Sequence, residues 1–175
     1  ITLTGGEPLV FKEFDELFKL CSKKAETNIV SNGLLLDEKK INLFLNEKNF
    51  KVLGVSIDTI GNTNRDFKPG AWEKLVKSIQ DFKRERDKVG HECAIDIKTV
   101  VLDENIDDLF EIHKYCFEIL GADTHSLQLL KGSEIQHSDI MFDFKDIDKN
   151  YTAYKYQNIE NLLLQLEKIR KYNLS

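Results

Sequence analysis

The chain has 175 residues, a formal net charge of -5 and 41% hydrophobic residues. That length supports one sizeable core. The acidic balance excludes a general nucleic-acid surface, and no apolar run is long enough to span a bilayer. From the N-terminus, a short β-type run, Ile1–Thr4, enters Gly5-Gly6-Glu7-Pro8. Both glycines permit positive φ and close approach to the backbone. Pro8 fixes its own φ and biases Glu7 toward the extended region. This puts a carboxylate at the mouth of a sheet, where it can meet a cation.

Phe14, Leu17, Phe18 and Cys21 then recur at helical spacing. A short strand, Thr27–Val30, ends in the polar turn Ser31-Asn32-Gly33. Asp37 is the expected N-cap of a helix bearing Ile41, Phe44 and Leu45. The run Val52–Asp58 is apolar until its end, as in strands buried on both faces of a parallel sheet. Residues Thr59–Gly70 read as a loop. A long helix follows, with Trp72, Leu75, Val76, Ile79 and Phe82 on one side and Gly90 as its stop. Cys93–Val101 is the fourth strand. Asn105–Leu120 is a helix whose apolar stripe includes His113, and Ser126–Leu130 is the fifth strand. Residues Lys131–Tyr156 are charged and irregular, with no strong period. The last helix carries Ile159, Leu162, Leu163, Leu166 and Ile169.

Repeated strand–helix units, with no composition break, predict one α/β domain over residues 1–175, built on parallel strands with right-handed crossovers. The pattern allows a doubly wound sheet or part of a (β/α) barrel. Both bind ligands at the C-terminal strand ends. The polar residues Gly5–Glu7, Ser31–Asn32, Ser56–Asp58, Lys98–Thr99 and Gln128 all fall at such ends. Cys21, Cys93 and Cys116 have no metal-ligand spacing and read as small buried thiols in a reducing compartment.

Thr4-Gly5-Gly6-Glu7-Pro8, Ser31-Asn32-Gly33 and Val55-Ser56-Ile57-Asp58, each at a strand end and in this order, resemble the core of radical SAM enzymes. The branch that carries SPASM-type auxiliary-cluster domains is the nearest likeness, and it extends over nearly the whole chain. The resemblance implies a partial (β/α)6 TIM-like barrel without its first βα unit. It also implies two cofactors, S-adenosylmethionine and a [4Fe–4S] cluster, and formation of a 5′-deoxyadenosyl radical that takes hydrogen from a substrate. By the same resemblance, Gly5, Gly6 and Glu7 hold the methionyl amino group, with Pro8 closing the turn. Ser31 and Asn32 line the pocket, and Ser56 and Asp58 approach the ribose or the methionyl carboxylate. Lys98 and Thr99 approach that carboxylate, and Leu129, within Leu127–Leu130, packs against adenine.

Each of these residues also has a local reading. Asn32-Gly33 is a turn dipeptide, Asp58 can cap its loop, and Lys98 can snorkel from the sheet edge. The family's cluster loop, CxxxCxxC, is absent from the chain. Because the chain opens in mid-strand, the expectation is a piece cut just downstream of that loop, inactive by itself. Expected partners are a peptide or small-molecule substrate and an electron donor such as a flavodoxin or ferredoxin, in the cytoplasm, with no membrane or nucleic acid. Two alternatives stand beside this reading. One is a non-catalytic barrel kept as a binding module, and the other is an unrelated α/β protein with a chance Gly-Gly-Glu-Pro turn.

Overall fold

The computed structural model describes residues 1–61, 68–129 and 156–174. Five strands form one sheet in sequential order: β1 (Thr2–Leu3), β2 (Thr27–Ser31), β3 (Phe50–Ser56), β4 (Ala94–Val101) and β5 (Thr124–Leu129). The β1–β2, β2–β3 and β3–β4 pairs are parallel, with Ser31 opposite Val55, Gly54 opposite Asp96 and Ser56 opposite Lys98. A doubly wound sheet reverses its strand order at a switch point. Strictly sequential order is the habit of a (β/α) barrel, so the order settles an alternative that periodicity leaves open.

The connecting helices are α1 (Phe14–Lys24), α2 (Glu38–Leu45), α3 (Ala71–Val89) and α4 (Leu109–Glu118), and α5 (Ile159–Tyr172) follows β5. The Asp37 side chain caps α2 by accepting from the Lys40 amide at 2.9 Å. Gly90 ends α3 in the left-handed region at φ 66°. Three elements differ most from the sequence reading. The strand β5 begins at Thr124, two residues before the expected Ser126. The strand β3 begins at Phe50 and ends at Ser56. The helix α4 starts at Leu109, because Asn105 folds back, donating to the Val100 carbonyl and accepting from the Leu102 amide. The expected Lys131–Tyr156 stretch and part of the Thr59–Gly70 loop lie outside the described residues.

The chain divides into two compact units. The first comprises Ile1–Thr99 and Glu111–Ser126. Its core is aromatic: Phe14, Phe18, Phe44, Phe50 and Phe82 are each at most 1% exposed. Successive ring centroids lie 5.0 to 6.4 Å apart, mostly edge to face. The quadrupoles of aromatic rings favour that geometry. Lys40 pairs with Asp15 across α1 and α2 and lies 4.9 Å from the Phe14 ring centroid. Its hydrogen bond holds the Asp15 carboxyl below the usual carboxylate range.

The second unit comprises Val100–Phe110 and Leu127–Ser175. It buries Val101, Ile106, Leu109, Leu162 and Ile169 together. Leu163, expected on the apolar side of α5, is 59% exposed, and Gln165 takes an inward position instead. Among the described residues, no helix is long and apolar enough to cross a membrane.

Candidate cofactor site at the strand ends

β1 leaves the sheet through Gly5, whose φ of 131° is a conformation that side-chain-bearing residues rarely adopt. A Cβ at Gly5 or Gly6 would meet nothing within 4 Å, so the backbone here faces open space. Glu7 is extended, and Pro8–Val10 forms one 3-10 turn after it. The Glu7 carboxylate is heavily committed. Its Oε1 accepts from the Leu9 amide at 3.0 Å and from the Ser31 hydroxyl at 2.7 Å. Its Oε2 accepts from the Asn32 amide at 2.7 Å. An ionised carboxylate has about four acceptor positions. Among the described residues three are used, and one on Oε2 remains.

The end of β2 is built to receive that carboxylate. Ser31 donates to Glu7 and accepts from the Gly33 amide at 2.9 Å. Asn32 accepts from the Leu34 amide at 2.9 Å. Gly33 has φ 75°, and a Cβ there would lie 2.5 Å from Leu75 Cδ1 and 3.1 Å from Val55 Cγ1. Both the conformation and the space require glycine.

Between these ends lies a cavity of about 350 Å³, lined by Thr4, Gly5, Gly6, Glu7, Val30, Ser31, Asn32 and Ser56. That volume is at the lower end of the ~300–1,000 Å³ range of small-molecule sites. A larger groove of about 520 Å³ runs between α2 and α3, away from the strand ends. Its charged lining is largely paired with itself, as in Lys77–Asp81, Arg84–Asp81 and Lys88–Glu85.

On β4, side chains alternate between the two faces of the sheet. Ile95, Ile97 and Thr99 are fully buried on the helix side. Asp96 and Lys98 therefore share the opposite face. Lys98 donates to Asp96 at 2.6 Å. Asp96 also accepts from Thr124 at 2.9 Å and from Ser126 at 2.9 and 3.1 Å. A Cβ on Gly54 would stand 2.9 Å from Lys98 Cε, so glycine leaves the lysine stem room to lie over β3.

Six of the expected site residues, Gly5, Gly6, Glu7, Ser31, Asn32 and Ser56, line one cavity. Pro8 opens the 3-10 turn beside it. Asp58 follows β3 and is half-buried. Lys98 lies opposite Ser56 in register. Thr99 is a correction, because strand alternation turns it to the far face. There it is 0% exposed, donates to the Ile57 carbonyl at 2.5 Å and holds up that strand end from below. Leu129 belongs to the second unit and is 48% exposed.

The residue reading missed His125. Thr99 gives its proton to Ile57, so it accepts from His125 Nε2–H at 2.9 Å. His125 Nδ1 then accepts from His113 Nδ1–H at 2.9 Å. Burial, reinforced by the neighbouring His113, lowers the His125 pKa from 6.5 to about 4. It lay outside the expected strand, because β5 begins at Thr124 rather than Ser126.

The cavity suits S-adenosylmethionine, because bare glycine backbone and a free acceptor position on Glu7 match an ammonium group. The described cysteines do not suit a [4Fe–4S] cluster. No group of three His, Cys, Asp or Glu among the described residues is placed to hold a metal ion. Burial pushes the Cys93 thiol up to about 11 and the Cys116 thiol up to about 12.

The family model described as the Radical SAM superfamily matches residues 1–116. The Fe-coproporphyrin III synthase of Methanosarcina barkeri is 30% identical over 146 residues, covering 80% of this chain and 35% of that protein. The pre-heme d1 synthase of Dinoroseobacter shibae is 32% identical over 122 residues, covering 66% of this chain and 28% of that protein. The chain thus spans about a third of the length of these two relatives. Among solved structures, Streptococcus suis SuiB bound to S-adenosylmethionine superposes with a TM-score of 0.64 at 19% identity, over 98% of this chain and 36% of that one.

Proposed function

Because the chain belongs to the radical SAM superfamily, we propose that its strand-end cavity holds the methionyl end of S-adenosylmethionine in a radical enzyme. The observation that carries this reading is the Glu7 carboxylate. It ties the Gly5–Glu7 turn to Ser31 and Asn32 around a cavity that Ser56 completes. The Gly5 and Gly6 carbonyls and the remaining Oε2 position receive the ammonium by charge-assisted hydrogen bonds. Ser56 and Asp58 serve the ribose side, and Lys98 serves the methionyl carboxylate.

The family's cofactors are S-adenosylmethionine and a [4Fe–4S] cluster. S-adenosylmethionine supplies, on one-electron reduction, the hydrogen-abstracting chemistry of the family. The residues of this chain bind and orient it; ligands for the cluster are not among the described residues. The electron comes from a donor of the flavodoxin or ferredoxin kind. The substrate is a peptide or a small molecule, and the solved SuiB complex with its precursor peptide SuiA supports the peptide option.

The test is anaerobic. The protein expressed from its full coding region, reconstituted with iron and sulfide and reduced, should release 5′-deoxyadenosine from S-adenosylmethionine. Ser56→Ala should raise the KM for S-adenosylmethionine. A reconstituted full-length protein that binds S-adenosylmethionine but never cleaves it would favour the binding-module reading.

A further inference from the structure

We propose that Asp96 is a positioning residue, which sets the Lys98 ammonium to receive a ligand carboxylate on the open face of the sheet. This rests on the assignment of Lys98 to the methionyl carboxylate, and it adds the residue that makes the assignment work. A lysine ammonium carries three N–H donors. Among the described residues, Lys98 spends one donor on Asp96, which leaves two for a ligand. Its side chain is 35% exposed, and that of Asp96 is 9% exposed.

Lysine is a poor anion receptor when its four-carbon stem is free, because binding must first freeze it. Three features remove that freedom here. The stem crosses β3 at Gly54, where a Cβ would come within 2.9 Å of it. The ammonium is tethered to Asp96 Oδ2 at 2.6 Å. Asp96 itself cannot swing, because Thr124 and Ser126 hold Oδ1 at 2.9 Å each. Three donors thus engage the aspartate, with the Ser126 proton shared between its two oxygens, and its pairing with Lys98 offsets its charge, which weakens its pull on the cationic part of a ligand. Ser56, which lines the cavity, is the β3 residue directly opposite Lys98.

A plain ion pair tying β4 to β5 would have the same bonds, so the test must read ligand recognition rather than stability. The probes are S-adenosylmethionine and its decarboxylated analogue, titrated calorimetrically into the cluster-loaded full-length protein. Loss of the carboxylate would also remove any coordination of that group to the cluster, but that penalty is common to all variants. Lys98→Met should abolish the protein's share of the preference for the carboxylated ligand. Asp96→Glu keeps the charge and moves the ammonium by about one methylene. It should shrink the preference about tenfold, the equivalent of one charge-assisted hydrogen bond. Ser126→Ala, at an exposed position, loosens Asp96 without touching Lys98 and should shrink it about threefold, a fraction of such a bond. If Lys98→Met keeps the full preference, Lys98 does not serve the carboxylate, and the positioning role falls with it. If Lys98→Met loses the preference while Asp96→Glu and Ser126→Ala keep it, Lys98 stands and Asp96 is only a structural ion pair.

Discussion

The Glu7 carboxylate accepts the Asn32 backbone amide at 2.7 Å, so a side chain from the first strand end caps the second. Glu7 therefore has a structural duty besides any ligand it holds. Glu7→Gln leaves one carbonyl oxygen to serve three donors, and at least one half-buried N–H loses its partner. That costs about 1–3 kcal/mol. In a chain of this size, the melting temperature should fall by about 2–4 °C per kcal/mol. Differential scanning calorimetry checks this. An unchanged melting temperature would mean that the carboxylate is not holding β2.

Gly33 separates conformation from space. Gly33→Ala places a Cβ 2.5 Å from Leu75 Cδ1 at a φ of 75°, so left-handed strain and overpacking add. The expected loss is about 2–4 kcal/mol. Gly90→Ala meets open space at φ 66° and bears the conformational cost alone, about 1–2 kcal/mol. Urea denaturation of the two variants should give this order. The reverse order would contradict the packing of α3 on the end of β2.

The histidine pair makes a pH signature. His125 is lowered from 6.5 to about 4, so the folded state favours its neutral form. As pH falls from 6.5 toward 4, the unfolded chain binds a proton that the folded chain refuses, and stability is lost across that window. Above it the contribution is fully present, and its size is on the order of 3 kcal/mol. Among the described residues, the groups facing His125 are His113, Thr99 and, at longer range, Asp96. Urea midpoints measured from pH 7.5 down to 4 should show the slope, and His125→Asn should flatten it.

Cys93 and Cys116 should be inert. Each is at most 2% exposed, and burial pushes its thiol far above neutrality. Only thiolates alkylate readily. In the native chain, iodoacetamide should label Cys21 ahead of the other two, which should react only after denaturation. Reconstitution of this chain with iron and sulfide should yield no stoichiometric cluster. A four-iron absorbance at one cluster per chain would contradict that.

Much of the site was legible because strand ends announce themselves. Gly-Gly-Glu-Pro, Ser-Asn-Gly and Ser-Ile-Asp each join an apolar run to residues that favour turns. Their convergence follows from parallel strands alone. What the chain conceals is partnership. Pro8 marks Glu7 as extended, but nothing in the order of residues says that its oxygens face Ser31 and Asn32. Thr99 and Lys98 are neighbours in sequence, yet strand alternation sends them to opposite faces, and so Thr99 packs on the helix side while Asp96 shares the face of Lys98. His125 was missed because the expected strand starts at Ser126, whereas β5 starts at Thr124. The start of α4 moved because the Asn105 side chain competes with helical hydrogen bonding, an effect propensity does not register.

The central claim is that the Gly5–Glu7 turn, Ser31–Asn32 and Ser56 form one S-adenosylmethionine site. Isothermal titration of S-adenosylmethionine into the full-length protein, beside Ser56→Ala and Glu7→Gln, tests it most directly. Saturable one-to-one binding is expected, weakened about tenfold or more in Glu7→Gln by loss of a charged acceptor and less in Ser56→Ala. Wild-type affinity in both variants, with their folds intact, would contradict the account and place the cofactor elsewhere.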